Sequence, residues 1–178
     1  MTLVRGVLIA VVISLAVVLQ TSVLSGFAWR GVVPDLALLV VIALALTLGG
    51  RVALPVAFAT GLLLDLVPPA DHAAGRWALA LVLAAYVAAR FRPEDRTGPS
   101  ATATVATVAA CSFLATSVFA LSGLILGDPM VPVSDLLWVI AVAVAIDVLI
   151  TPLVMPPLLW WLRRFSHDPQ PDLSPMRG

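Results

Sequence analysis

The chain has 178 residues, 61% of them hydrophobic and only 11% charged, against about 25% charged residues in a soluble domain. Ten arginines, with no lysine, balance ten acidic residues, so the net charge is zero, which excludes a basic nucleic-acid binder and an acidic disordered chain. Cys111 is the only cysteine, which excludes a disulfide scaffold and leaves an integral membrane protein.

A hydrocarbon core about 30 Å thick needs roughly 20 apolar residues in a helix. Inside it every backbone polar group must be paired within helices or a closed barrel. The apolar runs here are continuous rather than alternating, so helices are expected. In chain order they cover Gly6–Leu24, Asp35–Leu48, Val52–Val67, Arg76–Phe91, Ala101–Leu126 and Asp135–Leu162. The breaks are rich in Gly, Pro and charge: Gly31 to Pro34, Gly49 to Arg51, Pro68 to Gly75, Arg92 to Pro99, and Gly127 to Pro132. The reading is an all-α integral membrane protein, a six-helix transmembrane bundle over residues 1–165 with a disordered cytoplasmic tail over 166–178.

The first run carries Arg5 before an apolar stretch, as a signal peptide does. Val7–Leu24 is 18 residues long, however, and a cleaved apolar region is typically about 7–15, so it is read as a retained span. The second and third runs are short, roughly 21–24 Å each at 1.5 Å per residue, and suit either two thin spans or one re-entrant hairpin. Arginine placement favours spans. With six crossings and both termini inside, Arg5, Arg51, Arg90, Arg92, Arg96, Arg163, Arg164 and Arg177 lie on the cytoplasmic side and only Arg30 and Arg76 outside. In the last run Trp138 and Trp160 are about 33 Å apart along a helix, matching two aromatic belts.

Charged residues within the bilayer demand an explanation. Pro34 and Asp35 open the second run, as Pro132 and Asp135 open the sixth, and an Asp there is expected to cap free N–H groups. Asp65 ends a ladder at four-residue spacing, Ala53, Ala57, Gly61, Asp65, which shares one helix face. Small residues on such a face let another helix approach closely. The face is read as a partner-binding or helix-packing surface, with a shallow, water-reachable Asp65 as the alternative. Asp147 is about 18 Å beyond Asp135, near the bilayer centre, and shares a face with Ala143 and Thr151. Pro152, Pro156 and Pro157 remove backbone donors beside it, and a bend or unwound turn there can line a polar cavity. Asp147 suits a bond to a neighbouring helix, a proton or ion site, or a lateral contact for a partner's helix. Gln20, Thr21 and Ser22 are placed to solvate Asp65 or Asp35. The hydroxyl-rich fifth run, with Cys111 and Ser112, and the ridge Ala80, Ala84, Ala88 of the fourth fit close helix packing.

No Cys or His pair has metal spacing, no glycine-rich phosphate loop precedes a helix, and with no lysine there is no Ser–Lys pair. No catalytic residue, metal or cofactor is expected. The one enzyme arrangement that can be written is an acid–base dyad of Asp65 with Asp147. It suffers from the different depths of the two residues and from the absence of a Gly-Asp motif around Asp65.

The stretch Pro34-Asp35-Leu-Ala-Leu-Leu, followed by Gly61-Leu-Leu-Leu-Asp65-Leu66, a short polar loop to Gly75, and an Ala/Leu-rich span ending Ala85-Tyr86, resembles the rod shape-determining protein MreD family. The chain length, the number of runs and the ending Pro157-Leu-Leu-Trp-Trp-Leu-Arg-Arg164 agree with it, although Ala57 stands where a second glycine is expected. The resemblance implies a non-enzymatic, multi-pass scaffold in the bacterial cell membrane. It implies binding to MreC by transmembrane or juxtamembrane contact, and through it to actin-like MreB, RodA and its transpeptidase, with no nucleic acid involved. The family is similar in fold to the substrate-binding subunits of energy-coupling-factor vitamin transporters, which supplies the alternative function.

Overall fold

The computed structural model of the chain describes residues 3–27, 32–68, 73–93, 98–127 and 132–166. Six α-helices are formed among these residues: α1 Leu3–Val18, α2 Leu36–Leu48, α3 Gly50–Leu66, α4 Arg76–Arg90, α5 Ala101–Leu126 and α6 Val133–Ser166. A π-helical turn, Leu19–Val23, and a 3-10 turn, Leu24–Phe27, extend α1. The protein is all-α, and three of its segments, Leu3–Val23, Ala101–Leu126 and Asp135–Arg164, are long and apolar enough to cross a membrane. Arg30, Arg96 and the tail beyond Ser166, Arg177 included, lie outside the described residues.

Helix α2 organises the bundle. It has no polar face, and every residue from Leu36 to Leu46 is buried. A helix apolar on all sides is one enclosed by others, and α2 touches each of the other five helices. At 13 residues it is about 20 Å long, shorter than a bilayer core. Gly49, at φ 78°, ends it in a conformation that favours glycine, and the chain turns directly into α3. The Arg92 guanidinium packs over this turn; a Cβ built on Gly49 would come within 2.6 Å of its Nη1. A cation there complements the negative end of the α2 dipole.

The start of α1, the end of α2, the start of α3 and the end of α6 meet around a cavity of about 230 Å³ lined by Arg5, Leu48, Val52 and Trp161. Arg163 and Arg164 bring the start of α5 to the same end. At the opposite end, Arg76 at the start of α4 reaches the Phe119 carbonyl and Ser122 hydroxyl of α5 at 2.8 and 3.1 Å. Its guanidinium lies 4.1 Å from the centre of the Phe119 ring. Successive helices therefore run alternately up and down. The inward stripe of α1, Ile9, Ile13, Ala16, Val17 and Gln20, has helical spacing.

The structure narrows two of these readings to one alternative each. Helix α6 runs unbroken through Pro152, Pro156 and Pro157, so no unwound turn flanks Asp147. Prolines occur within membrane helices that neighbouring helices support; the hydroxyl of Thr151 bonds its own helix as well, donating to the Asp147 carbonyl at 2.6 Å. The ladder of α3 is also turned inward. Ala53, Ala57, Gly61 and Asp65 are all buried, and a Cβ on Gly61 would overlap the backbone of Trp77 and Ala78 in α4. A Cβ on Gly50 would likewise lie 3.5 Å from the Ala89 methyl, so α3 and α4 approach through small residues. The chain itself covers the face nominated for a partner.

Candidate functional site

The densest buried polar cluster forms where α2 begins. Asp35 is its N-cap, and Asp35 Oδ1 accepts the Leu38 amide at 2.9 Å. The Leu36 amide donates to the Pro34 carbonyl at 3.2 Å. The Ala37 amide donates to Gln20 Oε1, from the π-helical turn after α1, at 3.1 Å. The Gln20 side chain also bonds the Asp35 carboxyl. The orphan donors at the start of a helix must find partners when no water is present, and here α1 and the N-cap supply them.

Asp147, only 2% exposed, closes the cluster from α6. Its Oδ1 accepts the Asp35 amide at 2.9 Å and its Oδ2 accepts the Ser112 hydroxyl of α5 at 2.6 Å. One carboxyl thus joins α2, α5 and α6. The depth is set by helix length. Asp35 lies 13 residues before Leu48 and Asp147 lies 14 before Trp161, so both are about 20 Å from the arginine-rich end. Two carboxyl groups sit beside the positive end of the α2 dipole.

A second carboxyl makes a second tie. Asp65, 1% exposed, caps α4 from α3: its Oδ2 accepts the amides of Gly75 at 2.7 Å and Ala78 at 3.3 Å, and its Oδ1 accepts that of Trp77 at 3.1 Å. The left-handed Gly75, φ 101°, aims these amides at the carboxylate. Asp65 is neither water-reachable nor turned to a partner.

The structure therefore pairs the sequence-nominated residues differently. Asp147 meets Asp35, whereas Asp65 bonds the start of α4, so the Asp65–Asp147 dyad is replaced. Gln20 serves Asp35. Pro34 supplies a carbonyl to the first turn of α2, and Pro152 follows the Thr151 that braces Asp147. Sequence reading missed Ser112 as a ligand of Asp147 and Arg76 as a buried clasp of α5. The available signal was the shortness of α2, which starts its first turn inside the bundle, about 20 Å from the arginine-rich end, where it needs polar neighbours.

Chemically, the cluster offers acceptors already engaged by the protein's own donors. No buried side-chain nitrogen or oxygen among the described residues lacks a hydrogen-bond partner. No group of three or more His, Cys, Asp or Glu among them could hold a metal ion. Comparison of the chain with family models, with curated proteins and with solved structures finds no match.

Proposed function

We propose that this chain is a non-enzymatic membrane scaffold of the bacterial rod-shape machinery, an MreD-type protein. In this reading it crosses the cell membrane six times with both termini in the cytoplasm. It binds MreC and helps couple MreB to peptidoglycan synthesis by RodA and its transpeptidase.

One observation carries the reading. The two segments with the family resemblance, Pro34–Asp35 and Gly61–Asp65, are also the two places where buried carboxyls tie one helix to the start of another. Such internal use of the motif residues suits a protein whose work is to hold a shape. Its outward helix faces are apolar, as Val7, Val11, Leu15 and Val18 on α1 illustrate. Faces of that kind suit lipid and the transmembrane helix of a partner.

Co-purification with MreC from membranes tests the proposal. Stable recovery of MreC with the wild-type chain is expected. Recovery instead of a membrane coupling subunit with ATPases and a bound vitamin would overturn the scaffold in favour of a transporter subunit. Cleavage activity abolished by Asp147→Asn would overturn it in favour of an enzyme.

A further inference from the structure

A groove of about 620 Å³ opens on the side of the bundle between the first turns of α5 and the second half of α6. Its size falls within the roughly 300–1,000 Å³ of small-molecule sites. Thr104, Thr151 and Met155 are buried in its floor, and Pro156 and Trp160 form an exposed apolar wall. Along α6 it runs from Thr151 to Arg164, about 20 Å. That length equals one leaflet with its headgroup layer, half of about 40–45 Å.

The groove is apolar along its length and carries arginines at one end. Arg163 and Arg164 line its mouth together with Pro99, and among the described residues that line it there is no carboxylate. The Arg164 guanidinium lies 5.5 Å from the centre of the Trp160 ring. The Arg163 guanidinium packs against Gly98, where a Cβ would overlap it. Both cations are thereby held at the rim beside the start of α5. Basic pockets between membrane helices bind anionic headgroups, and the pattern here has one cationic end and one oily body.

We propose that this groove binds one anionic phospholipid, with its phosphate at Arg163 and Arg164 and an acyl chain along Met155, Pro156 and Trp160. The inference rests on the chain being embedded in a membrane and not on the identity of its protein partner. The lipid closes the gap between α5 and α6 at the arginine-rich end.

Native mass spectrometry of the full-length detergent-solubilised protein, with equimolar phosphatidylglycerol and phosphatidylcholine of matched chains, tests it. The wild-type chain is expected to retain one phosphatidylglycerol about fivefold or more in preference to phosphatidylcholine. Arg163→Gln with Arg164→Gln should bring that ratio close to one, and Arg163→Lys with Arg164→Lys should keep most of it. Ala101→Trp, an exposed position at the groove wall, should displace both lipids while helical circular dichroism stays unchanged. Equal retention of the two lipids by the wild type, an unchanged ratio in the Gln variant, or full retention in Ala101→Trp would each overturn the proposal. A lipid-free dimer would overturn it in favour of a second copy of the chain. None of these outcomes depends on whether MreC co-purifies.

Discussion

Asp35 and Asp147 are 112 residues apart in sequence, yet the Asp35 amide donates to Asp147 Oδ1 at 2.9 Å in the buried interior. The bond fastens the central helix α2 to α6, and the Ser112 hydroxyl extends it to α5. Removing the carboxyl strands two buried donors at once. Asp147→Leu is expected to cost about 2–6 kcal/mol, at about 1–3 kcal/mol per unsatisfied group. At about 2–4 °C per kcal/mol this lowers the melting temperature by roughly 4–24 °C. Asp147→Asn keeps an acceptor and should lose less than half as much. Cys111, buried and the sole thiol, reports the transition directly through a thiol-reactive dye during heating.

Gln20 acts on the same helix end by another route. Gln20→Leu removes the acceptor of the Ala37 amide, a loss of about 1–3 kcal/mol. Exchange of that amide with deuterium should accelerate by about tenfold for each 1.4 kcal/mol lost in local stability. Amides in the middle of α5 should be much less affected.

The approach of α3 to α4 sets a sharper limit. Gly61→Ala places a methyl against the Ala78 backbone, which cannot rotate away as a side chain can. Overpacking of this kind costs about 1–3 kcal/mol or more. Gly61→Leu should prevent accumulation of the folded protein in membranes, measured by immunoblot of the membrane fraction. Ala57→Gly, one turn earlier on the same face, should be recovered at close to wild-type abundance.

Asp65→Ala withdraws the acceptor from three amides at the start of α4. Loss of a helix cap costs about 0.5–2 kcal/mol, and the buried setting places the effect at the upper end. Exchange at Trp77 and Ala78 should rise by about tenfold or more. Asp65→Asn, which retains one acceptor oxygen, should fall between Ala and wild type.

Local pattern made part of this legible. The fifth apolar run coincides at both ends with α5, because Ser100 and Gly127 mark its limits and nothing polar enough interrupts it. The four-residue ladder in α3 announced a face for close approach, since spacing and residue size are local properties. Which helix fills that face is not a local property, and α4 filled it from inside the chain. The same holds for Asp147. Its depth follows from counting residues, but its neighbour depends on how far α2 reaches, and that in turn on the turn at Gly49. Pro152, Pro156 and Pro157 suggested a break by their chemistry, whereas α6 continues through all three.

The distance between Asp35 and Asp147 along the chain also has a consequence for biosynthesis. At about 5–20 residues per second, a ribosome reaches Asp147 on the order of ten seconds after Asp35. Throughout that interval the N-terminus of α2 has no fastener from α6, and its apolar sides await helices still being translated. A short, wholly oily segment in that state needs shelter from an insertase or from neighbouring lipid. A nascent chain arrested before codon 147 lacks the carboxyl that receives the Asp35 amide, so the central helix of an aborted copy stays untied to the last one.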